Sequence, residues 1–135
     1  MKRAVAPTAE RLAFPLTFLL KREGDLWASL CLETGVASCG DSHDDAREKL
    51  QGAVAGYYAF LHSKGRKEQF LQPMQPAEIE DFKCDPPGEV AVEHYTMLVT
   101  IVQTPDHEVT CSPRGTEFVR SIVPDTAACP THAAA

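Results

Sequence analysis

Apolar positions along the chain change period, and the changes divide it into elements. Residues 14–21 (FPLTFLLK) form an apolar run with Pro15 at its entrance, where a missing N–H does a strand least harm, and predict a first strand. Lys21-Arg22-Glu23-Gly24-Asp25 has turn chemistry and predicts an antiparallel return. Over residues 26–33, Leu26, Ala28, Leu30 and Leu32 alternate with Trp27, Ser29, Cys31 and Glu33. A second strand there has one wholly apolar face and presents Trp27 on the other, outward face. Residues 36–40 predict a third, very short strand.

The period then becomes helical. Ala46, Leu50, Ala53, Val54, Tyr57 and Leu61 recur as one stripe and predict a helix over residues 43–62, packed on the sheet. Ser42 is placed as N-cap with Asp45 three residues on, a capping-box pattern, and Asp44 and Asp45 suit the positive end of the helix dipole. Gly65 offers a stop. Gly52 and Gly56 need a reason, because a mid-helix glycine costs about 1 kcal/mol relative to alanine. The preferred reading is close packing of another segment of the same chain against them; the alternative is a groove that binds a partner. A membrane-type glycine pair is excluded by the polarity of the flanking helix.

Beyond the helix, Lys64-Gly65-Arg66-Lys67 reads as a solvated basic cluster that complements the dipole, and a proline-rich stretch follows. Residues 77–82 suggest a helical turn, and Asp85-Pro86-Pro87-Gly88 breaks structure. Residues 89–103 (EVAVEHYTMLVTIVQ), rich in β-branched and aromatic side chains, predict a strand. Residues 104–107 suggest a turn, and residues 108–111 a short second arm. Residues 114–123 stay open between a helical turn and a strand. The expected organisation is a flexible arm over 1–11, a single domain over 12–123 and a disordered tail over 124–135. Within the domain, a core over 14–62 is joined by a C-terminal β extension over 89–123. The fold class is α+β, an antiparallel sheet with one long helix on a face.

At 135 residues the chain is one domain's worth, and a formal charge of −6 argues against a nucleic-acid or anionic-membrane surface; it suits a basic protein partner, with a plain solvated acidic surface as the preferred alternative. Five cysteines without a CxxC pattern predict free thiols in a reducing cytoplasm. Met1-Lys2-Arg3 is followed by a short apolar run broken by Pro15, which does not make a signal peptide, and no stretch is long enough to span a bilayer.

Residues 16–62 resemble the HicB-like antitoxin domain. The likeness rests on the N-terminal hairpin, Trp27 early in the second strand, the Gly40-Asp41-Ser42 corner, and the acidic entry Asp44-Asp45-Ala46 into the helix. The family usually shows a Gly-Asp-Thr corner and Glu-Glu-Ala, and the loop at Glu33-Thr34-Gly35 is shorter than its usual version. The resemblance implies a partial ribonuclease-H-like β-β-β-α-β fold, here with an extra C-terminal β element. It also implies a type II toxin–antitoxin protein that binds and neutralises a small basic RNA-cleaving toxin of the HicA type. Full-length relatives carry a C-terminal DNA-binding module; residues 89–123 read as β, so DNA binding is doubtful.

Candidate chemistry is sparse. A ribonuclease-H-type site needs carboxylates converging on metal ions, one of them on the first strand, and residues 14–21 contain no acid. Asp25, Glu33 and Asp41 lie at strand ends or in loops. Cys39 and His43, with His107 and Cys111, have ligand types suited to zinc but are distant in sequence. Cys31 has no local histidine to activate it, and His94 reads as an ordinary strand histidine. The expectation is therefore no enzyme, cofactor or metal. Partner binding is assigned to Trp27, Gly52 and Gly56, with Trp27 as an aromatic anchor unless residues 89–123 cover its face. The alternatives are a standalone homo-oligomeric domain, with a homodimer through an exposed strand edge, or a small-molecule-binding domain.

Overall fold

Gly24, at a positive φ of 63°, makes the turn that joins β1 (Thr8–Glu23) to β2 (Leu26–Cys31). The computed structural model describes residues 8–85, 87–103, 109–110 and 116–121. In order, β3 (Ala37–Gly40), α1 (His43–Ser63), a single 3-10 turn (Lys67–Gln69) and α2 (Pro76–Cys84) follow. The chain then continues as β4 (Val90–Gln103), β5 (Val109–Thr110) and β6 (Thr116–Ser121). The strands form one sheet in the order β3-β2-β1-β4-β5, with β6 also on β4, and every described pairing is antiparallel. Because β1 covers one side of β4 from Val90 to Gln103, β5 and β6 share its other side. The chain is thus α+β, and within the stretch left open at 114–123 the described residues, 116–121, form a strand.

β1 starts earlier than its apolar run. Residues 8–11, expected in a loose arm, pair with Thr100 to Gln103, because the long ladder with β4 satisfies their backbone whatever their side chains. Residues 1–7, the expected turn at 104–107, Glu108, Cys111 and the expected tail over 124–135 lie outside the described residues. Pro15 consequently sits inside the strand and not at its entrance. Thr17 accepts Leu32 N–H on the β2 side, so by alternation Pro15 also faces away from β4 and removes no ladder bond.

That parity also sets which side chains meet the helix. Leu16 and Phe18 of β1, Cys31 of β2 and Tyr95, Met97, Val99 and Ile101 of β4 form the core with Leu50, Val54, Tyr58 and Leu61 of α1. Phe70, just past the 3-10 turn, inserts at the end of this layer, 4.9 Å from Tyr58 and 5.1 Å from Phe14 between ring centres. The expected helix stripe is adjusted by part of a turn. Ala46, Leu50, Val54 and Leu61 are buried as expected, but Ala55 and Tyr58 join them while Ala53 and Tyr57 are only half-buried.

Both ends of α1 follow the sequence signals, with one refinement. Ser42 Oγ accepts Asp45 N–H at 3.0 Å, but Asp45 Oδ2 reaches back to Asp41 N–H at 2.9 Å, one residue earlier than a strict capping box. A Cβ on Gly40 would collide with the backbone of Asp45 and Ala46, so the corner needs glycine for the first helical turn to lie against β3. Gly65 follows the C-cap Lys64 at positive φ.

The opposite face of the sheet is only partly covered. Leu19, Lys21 and Leu30 are buried there. The chain reaches this side past the end of β2, where Met74 N–H donates to Leu32 O at 3.0 Å. The expected turn at 77–82 is the helix α2, entered through a Gln75–Glu78 capping box. Its Phe82 carbonyl accepts Lys21 Nζ at 2.6 Å, with Glu23 at 3.3 Å and the Phe82 ring 4.9 Å from the ammonium. A cation against the C-terminal carbonyls of a helix is the favourable polarity.

Candidate functional site

Trp27 takes its position from the parity of β2, and that parity corrects the sequence expectation. Ser29 Oγ donates to Ala46 O of α1 at 3.0 Å and Cys31 is in the core, so Trp27, Ser29 and Cys31 face α1. Leu30, from the apolar set, is instead buried on the α2 side, while Leu26 is 50% exposed. Trp27 is therefore not on an outward face. It is half-buried at the start of α1, edge-on to His43 at 5.1 Å between ring centres. The alternation misled because the face under the long helix accepts serine when the helix supplies a carbonyl, so the more apolar face is not the one that α1 covers.

His43 leads into a buried ion cluster. Glu93 on β4 is 3% exposed, and its carboxylate accepts Arg47 Nε at 2.9 Å and the Tyr95 hydroxyl at 2.6 Å. His43 Nε2 and Arg120 Nη2 stand 3.3 and 3.5 Å from its other oxygen. Arg47 is held in turn by Asp44 at 2.9 Å. Burial pushes the Glu93 carboxyl up, but the bonds from Arg47 and Tyr95 and the charges of Arg47 and Arg120 outweigh it and hold the group below the usual range. Burial, then the bond to Glu93, pushes the Tyr95 phenol up to about 12. Arg47 is raised by the same carboxylate, so both partners stay ionised. A carboxylate satisfied from four side chains ties α1 to β4 and β6.

Glu93 has the parity of Tyr95, Met97, Val99 and Ile101, the core-facing side chains of β4. An acid at a core-facing position needs a buried cation, and that was the available signal in the sequence. Its main cation, Arg47, lies seven residues before Val54 and eleven before Tyr58 and so shares their buried side of the helix, but a stripe counted from apolar residues alone passes over it.

A second carboxylate closes a sheet edge. Glu33, just past β2, accepts Thr17 N–H at 2.6 Å and the Thr17 hydroxyl at 2.8 Å, while Leu32 O is taken by Met74. The β1–β2 ladder ends there. Cys31 beside it is buried, and burial pushes its thiol up, away from the thiolate a nucleophile needs. Cys39 is exposed on β3 while His43 is engaged with Glu93; His107 and Cys111 lie outside the described residues. No group of three or more His, Cys, Asp or Glu able to hold a metal occurs among the described residues.

Gly52 and Gly56 contradict the preferred reading. A Cβ at either meets nothing within 4 Å, so no segment among the described residues packs closely on them. They lie on the outer side of α1, Gly52 exposed and Gly56 half-buried, and they are not brought together with Trp27 by any contact. From residue 50 to 61 the helix (LQGAVAGYYAFL) has no Asp, Glu, Lys or Arg, and Phe60 is 56% exposed on it. Lys64 Nζ lies 5.9 Å from the Phe60 ring centre, and Arg66 and Lys67 are exposed nearby. Among the described residues no helix is long and apolar enough to cross a membrane. No family model, no curated protein and no solved structure matches this chain.

Proposed function

We propose that this chain is a HicB-like, non-catalytic binding domain that neutralises a small basic RNA-cleaving toxin of the HicA type. The observation that carries the reading is the element order. Three antiparallel strands lead into one long helix across a face, and a further strand, β4, returns beside β1. Apart from α2, inserted between α1 and β4, that order is the β-β-β-α-β one that the resemblance of residues 16–62 to the family implies, and β5 and β6 would be the extra C-terminal β element. The outer side of α1 supports a protein partner. It combines an exposed aromatic ring and two glycines for which the described packing has no need, in a stretch of α1 (50–61) without a formal charge whose other side is core. The net charge of −6 suits a basic partner. No DNA reader is proposed, because the described residues after α2 are strands.

The test is co-expression and co-purification of the tagged chain from its own host. The expected result is a small basic protein at near-equal stoichiometry, toxic when expressed alone and harmless with this chain. Gly56→Arg should break the complex while leaving the circular dichroism unchanged. A chain that elutes alone, or a complex indifferent to Gly56→Arg and Phe60→Ser, would sink the reading.

A further inference from the structure

β1 extends beyond β2, and its unpaired edge is chemically specific. On the side away from β4, Thr17 N–H is capped by Glu33 and Pro15 has no N–H to offer. Ala13 and Arg11 come next at the same parity, and no described residue bonds their backbone on that side. Arg11, Ala13 and Pro15 are all exposed. Leu12 and Phe14 lie between them on the α1 face, half-buried at the margin of the core, and Leu71, next to Phe70, is 46% exposed. A short run of open N–H and C=O groups beside unfinished apolar burial is a template for strand addition.

We infer that this edge pairs with the same edge of a second copy of the chain, antiparallel about a twofold axis through Leu12. In that register Arg11 and Ala13 of each copy stand opposite Ala13 and Arg11 of the other and exchange both backbone hydrogen bonds. Leu12 meets Leu12, the close non-hydrogen-bonded pair, and joins the two α1-face cores at their margins. No N–H from residue 11 to 15 is then left over, because the position beyond Ala13 is Pro15.

Two observations select a second copy over an unrelated peptide. The edge has no net charge to recognise a charged segment: Glu10 and Arg11 offset each other, and Arg11 already lies 3.9 Å from Glu117. The open stretch is also bounded at one end by Pro15 and the Glu33 cap, which stops a longer strand from zipping along β1. A twofold pair uses each edge once and closes, so it yields a dimer and no filament. The contact is short, and the dimer is accordingly weak and reversible.

Sedimentation equilibrium from about 1 to about 500 µM tests this, since a dimer of micromolar affinity is half-formed inside that range. The wild-type chain should pass from monomer to dimer. Ala13→Pro removes only the outward N–H and leaves the β4 ladder intact, so it should stay monomeric with the melting temperature of dilute wild type. Hydrogen exchange supplies a measurement independent of the variant: the Arg11 and Ala13 amides should become at least tenfold more protected at the high concentration. A monomer throughout, a dimer that Ala13→Pro leaves unchanged, or amides that exchange equally at both concentrations would each overturn the inference.

Discussion

Removing Arg47 should expose how much of the fold depends on keeping Glu93 ionised. In Arg47→Ala the Glu93 carboxylate stays in place, 3% exposed, with the Tyr95 hydroxyl at 2.6 Å but without its closest cation. Breaking a buried pair from one side costs about 3–5 kcal/mol. Arg47 is itself 21% exposed, and His43 and Arg120 remain within 3.3 and 3.5 Å of the carboxylate, so the expected cost at pH 7 is about 2–4 kcal/mol. Glu93→Gln should cost less, because Arg47 keeps Asp44 at 2.9 Å and reaches solvent. The pH dependence separates this account from simple loss of packing. In the wild type the Glu93 pKa is lowered, so its contribution is present above the ordinary carboxyl range and is lost as pH falls through the folded value. Without Arg47 the carboxyl loses its strongest lowering influence while burial still pushes it up, so its pKa should rise from the wild-type value and the penalty of Arg47→Ala should be larger at pH 7 than at pH 5. Urea unfolding at pH 7 and pH 5 measures both, with a midpoint lower by about 1–2 M at pH 7 for a slope of about 2 kcal/mol/M. A cost for Arg47→Ala that is the same at the two pH values, or smaller than that of Glu93→Gln, would refute the reasoning.

Three further outcomes follow from the geometry. Gly52→Ala and Gly56→Ala should each stabilise the chain by about 0.5–1 kcal/mol in thermal unfolding, because a methyl group meets nothing within 4 Å at either position. Ser42→Ala should destabilise by about 1 kcal/mol through loss of the Asp45 N–H acceptor, and Ser42→Thr should restore most of it. In native thiol labelling followed by peptide mapping, Cys39 and Cys84 should react quickly and Cys31 only on unfolding, since Cys31 is buried and its thiol pKa raised; equal rates at Cys31 and Cys39 would show the core open at β2.

The elements were legible where one signal governed them. Ser42, the small-to-large stripe from Ala46 to Leu61 and Gly65 all specify the same helix, and α1 falls within a residue of the expected span. The β-branched run before residue 103 likewise gives β4. β1 was longer than its apolar run because residues 8–11 are held by ladder bonds that leave no trace in side-chain identity. The reversal of β2 has a different origin. Its mixed face goes under the long α1 and its most apolar face lies on the opposite, only partly covered side of the sheet, so counting hydrophobes could not decide which face the larger layer takes.

The two kinds of glycine in this chain show what a sequence can and cannot say about surfaces. Gly40 and Gly52 are the same residue, yet the first is fixed by the backbone of Ala46 and the second by nothing among the described residues. Only the packing around them distinguishes a glycine that the fold requires from one that the fold tolerates. A tolerated glycine inside a helix, beside an exposed Phe60, is a standing cost of about 1 kcal/mol. Glu93 illustrates the converse. It is the residue around which Arg47, Tyr95, His43 and Arg120 are arranged, so its chemistry is committed to holding α1 on the sheet.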